Sequence, residues 1–135
     1  MKFNSQQSIQ EQLLQIPYAR LIGIEPGESV DCFRLPARKS NIGNPLLPAL
    51  HGGLIAGFME MAATVSVLHH SGAESVPKIV DISVDYLRSG KFADSYARCQ
   101  LHYLGRRMIN VGITAWQDDE SRPIATARAQ FLVKE

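Results

Sequence analysis

The segment HGGLIAGFMEMAATVSVLHHSG, which runs from His51 to Gly72, decides the fold of this chain. Its apolar part, Leu54–Leu68, contains a single charged residue, Glu60. The pattern predicts a helix that is apolar on almost every side, and such a helix is buried rather than amphipathic. A membrane span needs about 20 apolar residues and rarely carries an acid at its centre, so we expect a core helix of a soluble protein. The two histidines before Gly72 suit the negative end of a helix, and Gly72 suits a left-handed cap.

The chain after this helix alternates apolar and polar residues with a period of two, which is typical of antiparallel strands with one buried face. The predicted inward residues are Val80, Ile82, Val84 and Tyr86; Ala97, Cys99, Leu101 and Tyr103; Ile109, Val111, Ile113 and Ala115; and Ala125, Ala127, Ala129, Phe131 and Val133. Hairpin turns are predicted at Gly105–Arg107 and Gln117–Arg122. Many inward residues are small, so a helix can pack closely on them. We therefore predict an α+β fold, with a curved antiparallel sheet laid against one long helix.

The residues before the long helix predict shorter elements. A first helix is expected over Ser5–Gln15, because Ser5 can cap it and Pro17 can end it. The run Pro26–Ser29 signals a turn, with short strands on either side at Ile22–Glu25 and Val30–Leu35.

Length and composition limit the possible classes of protein. The chain has 135 residues, 45% of them hydrophobic and 20% charged, which predicts one globular domain over residues 1–135. Its net charge of +1 argues against broad electrostatic binding of nucleic acid or an anionic membrane. Cys32 and Cys99 are too few for a disulfide framework and lack metal-ligand spacing, so we expect no metal site. The N-terminus has no apolar signal region, which favours a cytoplasmic location.

Several common catalytic motifs are missing from the sequence. It contains no G-x-G-x-x-G or Walker loop for nucleotide phosphates, no G-x-S-x-G elbow and no H-E-x-x-H metal motif. Glu60 is the residue that remains. A buried carboxylate costs free energy unless it is paired, so such groups are often functional. The alternative is that Glu60 lies at a subunit seam or accepts a hydrogen bond from the backbone.

A second feature is the HGG sequence at the start of the helix, which follows the irregular stretch Pro36–Pro48. Loops of that length in compact domains are more often functional than idle. Free N–H groups at a helix N-terminus can polarise a carbonyl, and glycine lets a ligand approach the backbone closely. Gly-Gly can also be no more than a flexible start to the helix. Glu60 lies two to three turns further on, about 12 Å along the axis. An elongated substrate would reach both places, or a second subunit would supply one of them.

These motifs resemble a known family. The string N-x6-H-G-G-L-I-A-G-F-M-E-M-A, from Asn44 to Ala62, is similar to the hotdog-fold acyl-CoA thioesterases of the phenylacetate-pathway and 4-hydroxybenzoyl-CoA type. The string K-I-V-D-I-S-V-D-Y-L-R (Lys78–Arg88) and the arginine pair at 106–107 share this resemblance. It covers roughly residues 41–133.

The resemblance implies a sheet that wraps the central helix, dimers that join into a continuous sheet, and active sites at the dimer interface. It implies that Glu60 acts as general base on water or as nucleophile at the thioester carbonyl. The N–H of Gly52 would polarise that carbonyl. His51 would shape the loop, Thr64 would help to hold the water, and Asn44 would contact the carbonyl or the water.

An acyl-CoA substrate would also need contacts for its phosphates, which arginine suits geometrically. The candidates for binding coenzyme A are Arg88, Lys91, Arg106 and Arg107, which fall at a predicted strand end and in a turn. Basic residues in turns are also commonly just solvated. Coenzyme A would enter as part of the substrate, so no cofactor is expected. The partner implied is a second copy of the chain, in a dimer or a dimer of dimers.

Two positions depart from the family pattern and keep alternatives open. Pro45 stands where the family often has Asn or Gln, next to Asn44, and Ile79 stands where some relatives place a water-orienting Ser or Thr. A non-catalytic module that binds or senses acyl-CoA is one alternative. An acyl-thioester dehydratase or hydratase is another, but it needs a catalytic histidine in the loop before the helix, where this chain has Asn41–Asn44.

Overall fold

The computed structural model describes residues 8–38, 52–104 and 106–133. The helices in these ranges are α1 (Ile9–Gln15), α2 (Pro17–Ile22) and α3 (Gly52–Ser71). The strands are β1 (Glu25–Pro26), β2 (Cys32–Leu35), β3 (Lys78–Tyr86), β4 (Ser95–Leu104), β5 (Met108–Trp116) and β6 (Ala125–Leu132). They form one sheet in the order β1–β2–β4–β5–β6–β3, and every neighbouring pair is antiparallel. The predicted α+β hotdog fold is confirmed.

Helix α3 packs across the inner face of the sheet and forms the core with it. Phe58 and Met59 of α3 are fully buried, and so are the small strand residues Ala97, Ala115 and Ala125. Small side chains on the strands let the helix axis approach the sheet, as the sequence predicted. The helix ends as expected, because Gly72 takes a left-handed backbone conformation with φ 69°.

Helix α3 is not buried on every side, however. A stripe at helical spacing stays partly or fully exposed: Gly53, Ala56, Gly57, Glu60 and Met61. We call these five residues the open stripe. The sheet covers the opposite side of α3, while α1 and α2 contact only part of its remaining surface. The prediction of an all-round buried helix was therefore wrong along this line, and Glu60 is half-buried rather than buried.

By length and hydropathy α3 could span a membrane, since its best 18-residue window has a mean hydropathy of 1.3. In this fold, 61% of that window is buried by the rest of the chain. The helix therefore serves as the core of the sheet.

The elements before β2 differ from the prediction. Helix α1 begins at Ile9, and Ser8 caps it by accepting a hydrogen bond from the Glu11 N–H at 3.1 Å; Ser5 lies outside the described residues. Helix α1 ends at Gln15, as predicted, but Pro17 also begins α2, since a proline is tolerated in a first helical turn. The strand predicted at Ile22–Glu25 exists but is shorter and lies later, at Glu25–Pro26, because Ile22 still belongs to α2.

Two strand predictions also need correction. The expected strand Val30–Leu35 starts only at Cys32, after a turn. Val80 does not face inward and is 53% exposed, because the β3–β6 register shifts between Ile79 and Asp81. The extra residue of such a bulge reverses the alternation, so Ile79 takes the inward position instead.

The two edges of the sheet are unlike each other. One edge is β1, which has two residues and includes Pro26. The other edge is β3, which has nine residues and no proline. Short strands and prolines protect a sheet edge against pairing with another chain, whereas a long regular strand does not.

Both cysteines are free and buried, as the sequence suggested. Burial raises the pKa of the Cys99 thiol to about 12. The thiol is therefore neutral at physiological pH and acts as a packing group.

Candidate active site

The N-terminus of α3 is the first part of the predicted site. Gly52 is the first residue of the helix and is exposed. No carbonyl of α3 can accept its N–H, because the first four N–H groups of a helix lack an internal partner. His51 and Asn44 lie outside the described residues.

A cleft of about 510 Å³ opens at this helix end. It is lined by Gly52 and Ile55 of α3 and by the segment that ends β3, namely Tyr86, Leu87, Arg88, Ser89 and Gly90. The Tyr86 hydroxyl donates a hydrogen bond to the Gly52 carbonyl at 2.7 Å. The alternation in the sequence predicts only that Tyr86 lies on the inward face of a strand. Its position as the last residue of that strand, level with the start of α3, could be seen only in the fold.

Glu60 lies in the open stripe of α3. Within the part of the chain that the structure describes, its carboxylate makes no hydrogen bond or ion pair, so it is available to solvent or to a ligand. The eight residue steps from Gly52 correspond to about 12 Å along the helix axis. Gly52 and Glu60 of one chain therefore do not meet at one reacting bond.

Thr64 lies one turn after Glu60 and is only 3% exposed. Its hydroxyl donates to the backbone carbonyl of Glu60 at 2.8 Å, which is a common bond for threonine within a helix. The hydroxyl proton is used in this bond, while the oxygen keeps its lone pairs to accept a hydrogen bond.

Arg88 and Lys91 lie at the same end of the sheet as the cleft. Arg88 lines the cleft, and its guanidinium donates to the Pro123 carbonyl at 3.0 Å. Lys91 is held through its backbone N–H, which donates to the Gln117 side chain at 3.0 Å and leaves the ammonium group exposed.

Arg106 and Arg107 lie at the opposite end of the sheet. Their hairpin joins β4 to β5, next to the row in which Lys78, Leu132 and Met108 pair. Strand β3 spans eight residue steps between the two ends, about 27 Å at ~3.4 Å per residue. Within one chain, the four predicted coenzyme A residues thus form two separate pairs.

An ion pair fixes the chain where β2 leaves the sheet. The Asp94 carboxylate accepts hydrogen bonds from the Ala37 N–H at 2.8 Å and from the Arg34 guanidinium at 2.6 Å. The bond from Ala37, followed by the bond from Arg34, lowers the pKa of Asp94 below its usual value. This contact anchors the beginning of the segment that leads towards α3.

Over residues 8–38, 52–104 and 106–133, no three His, Cys, Asp or Glu side chains come together in a way that could hold a metal ion.

Comparisons with known proteins agree with the fold described above. The sequence model of the thioesterase superfamily matches residues 47–124. A protein of known structure from Chromobacterium violaceum is 42% identical, with 93% of this chain and 88% of that chain covered and a TM-score of 0.73. A comparison with curated proteins finds no match.

More distant structures share the fold. A Haemophilus influenzae thioesterase is 19% identical, with a TM-score of 0.80 and 98% and 94% of the two chains covered. A Bacillus halodurans protein, solved with CoA, is 23% identical, with a TM-score of 0.76 and 93% and 80% of the two chains covered.

Proposed function

Since the chain belongs to the thioesterase superfamily, as its motifs predicted, we propose that it hydrolyses acyl-CoA or acyl-carrier-protein thioesters to a free acid and a thiol. The observation that carries this proposal is the Glu60 carboxylate, which has no partner among the described residues and lies on the open stripe of α3. The N-terminus of the same helix borders a cleft that Gly52 lines.

Each group has a defined part in the proposed reaction. The Gly52 N–H donates to the thioester carbonyl oxygen and stabilises the negative charge that develops there. Glu60 takes a proton from water, whose oxygen attacks the carbonyl carbon. The C–S bond then breaks, and the proton passes from Glu60 to the leaving sulfur, which gives the thiol. In the nucleophilic variant, the Glu60 oxygen attacks the carbonyl carbon and the C–S bond breaks, which gives a mixed anhydride and a thiolate. Water then cleaves the anhydride to the free acid and the Glu60 carboxylate, and the proton it releases is taken up by the thiolate. Thr64 would accept a hydrogen bond from the water, and His51 and Asn44 would shape the loop and contact the carbonyl or the water.

The separation of about 12 Å along α3 between Gly52 and Glu60 supports a site shared by two subunits. The water and the carbonyl that react must lie within about 3–3.5 Å of each other. We therefore propose a homodimer, or a dimer of dimers, in which Gly52 of one subunit works with Glu60 of the other. The long edge strand β3 is the surface that suits this pairing, since β1 at the other edge is short and contains Pro26.

The same pairing would gather the basic residues. Two β3 strands that pair antiparallel across a two-fold axis place the Lys78 end of one beside the Tyr86 end of the other. The hairpin that carries Arg106 and Arg107 of one subunit then lies on the side of the other subunit's Arg88 and Lys91. We propose that these four residues bind the phosphates of coenzyme A.

The proposal is tested by measuring thiol release from short, medium, long and aromatic acyl-CoAs, with Glu60→Gln beside the wild type. The variant should bind substrate but lose at least ~100-fold in turnover, the lower range of general-base effects. Glu74→Gln is the matched control, because Glu74 is exposed in the turn after α3 and has no partner among the described residues. An unchanged rate in Glu60→Gln would show that the base is assigned wrongly.

One observation favours a second candidate, a non-catalytic acyl-CoA-binding module. Ile79, at the position where some relatives carry a water-orienting hydroxyl, packs against the core. Saturable acyl-CoA binding without thiol release across the whole panel would favour this module over a hydrolase.

A further inference from the structure

The structure links Tyr86 directly to the helix end at which the proposed site begins. The Tyr86 hydroxyl lies 2.7 Å from the Gly52 carbonyl oxygen. The side chain is otherwise poorly buried, since the residue is 54% exposed. Packing alone therefore gives a weak reason for a tyrosine at this position, and the hydroxyl bond is its specific contact.

The start of α3 needs such support. It begins with two consecutive glycines, Gly52 and Gly53, and glycine is less favourable within a helix than any other residue except proline. The first turn also lacks half of its internal hydrogen bonds. A Gly-Gly start is thus prone to fray unless another element holds it.

The end of β3 is a firm base from which to hold this turn. The Leu87 and Arg88 N–H groups both donate to the Ile124 carbonyl, at 2.8 and 3.1 Å. Tyr86 itself pairs with Ala125 of β6. The backbone on both sides of the tyrosine is therefore fixed to the sheet, and its hydroxyl transmits that position to Gly52.

We infer that Tyr86 is a positioning residue for thioester hydrolysis. Its hydroxyl holds the Gly52 carbonyl and so keeps the first turn of α3 formed, with the Gly52 N–H directed at the substrate carbonyl. This inference rests on the proposed function, because it assigns to Tyr86 the orientation of the group that polarises the thioester.

Tyr86→Phe tests the inference because it keeps the ring and removes only the hydroxyl. We expect kcat to fall about 2- to 13-fold, the range for the loss of one neutral hydrogen bond. KM should stay within about twofold, because the hydroxyl does not act on substrate binding itself. Amide hydrogen exchange over residues 52–56 should speed up, while β5 and β6 stay protected.

Tyr96→Phe is the matched control. Tyr96 stacks on Trp116 with 5.9 Å between the ring centroids, and its hydroxyl makes no hydrogen bond within the described residues. The same chemical change should therefore leave kcat, KM and amide exchange at wild-type values. A Tyr86→Phe enzyme with wild-type kcat overturns the inference. A rise in KM with kcat unchanged also overturns it, since Tyr86 would then bind substrate instead of positioning the turn.

Failure of the proposed function has a different signature. In that case the wild type releases no thiol from any acyl-CoA, and Tyr86 has no role in hydrolysis to test. The exchange experiment then still decides whether the hydroxyl holds the first turn of α3, because it requires no substrate.

Discussion

At the scale of single residues, the proposed site combines Glu60 and Gly52 of one helix with Tyr86 from the end of a distant strand. A single acid in an apolar helix and a helix start of two glycines can be recognised from the sequence alone. The partner of Gly52 depends on where β3 ends relative to α3, and these residues are 34 positions apart in the chain. The half-buried state of Glu60 was missed for a similar reason, since it depends on how much of α3 the short helices cover.

A second glycine of α3 is shaped by a contact across elements. The Tyr18 side chain of α2 lies over Gly57, one turn before Glu60. A Cβ atom at Gly57 would come within 2.5 Å of the Tyr18 hydroxyl oxygen and 2.8 Å of a ring carbon. Glycine is needed here for close approach.

We therefore expect Gly57→Ala to lower the free energy of unfolding by about 1–2 kcal/mol, since overpacking outweighs the better helix propensity of alanine. In a Tyr18→Ala background the same change should become neutral or stabilising. Denaturant unfolding of the four proteins in this cycle measures the coupling. If alanine stabilises in both backgrounds, the contact does not restrain position 57.

At the scale of secondary-structure elements, the long helix and the long strands could be predicted from the sequence, whereas the short helices and strands could not. Helix α3 and strands β4 to β6 carry enough periodic residues to define their type. Helix α2 has six residues and follows Pro17, which can either end one helix or begin another. The bulge in β3 left no clear signal in the sequence, because Val80 is apolar like Ile79 before it and either residue could face inward.

The contact of Asp94 with Arg34 and Ala37 belongs to this scale, because it ties the end of β2 to the loop before β4. The pKa of Asp94 is lowered in the folded state. Its contribution to stability is therefore complete above the unfolded-state pKa, near 4, and disappears as the pH falls through the lower folded-state value.

Asp94→Asn should lower Tm by about 1–4 °C at pH 6, as for a partly exposed ion pair. The difference in Tm between the variant and the wild type should disappear as the pH falls from about 4 to 2.5. Over this range the wild-type carboxyl becomes protonated and loses its charge, like the amide that replaces it. Thermal melts between pH 2.5 and 7 measure this. Asp118→Asn, at an exposed position in the β5–β6 turn, is the control. A Tm difference that stays constant down to pH 2.5 would contradict the assignment of this pH-dependent contribution to Asp94.

At the scale of the whole molecule, the proposed shared site makes a distinctive prediction. Gly52→Pro removes the polarising N–H, yet proline is accepted in a first helical turn, and a Cβ there meets the Tyr86 ring at an ordinary 3.7 Å. Gly52→Pro and Glu60→Gln should each be inactive alone. Co-expression should restore about a quarter of wild-type activity, because half of randomly formed dimers carry one intact site.

Recovery of activity on co-expression distinguishes a site shared by two subunits from a site formed within one chain. If Gly52 and Glu60 of the same subunit worked together, every subunit in the mixture would be defective and no activity would return. Sedimentation of the mixed sample shows whether dimers form.

The position of β3 in the sheet has a consequence for how the protein is made. Strand β3 follows α3 in the chain, but its neighbour in the sheet is β6, and Tyr86 pairs with a residue 39 positions later. At a synthesis rate of about 5–20 residues per second, β3 leaves the ribosome several seconds before its neighbour exists. A nascent chain that stops before Ala125 lacks only β6. Strand β3 is then also unpaired, because β6 is its neighbour in the sheet. The synthesis of β6 thus decides whether the strand that carries Tyr86 can take its place beside α3.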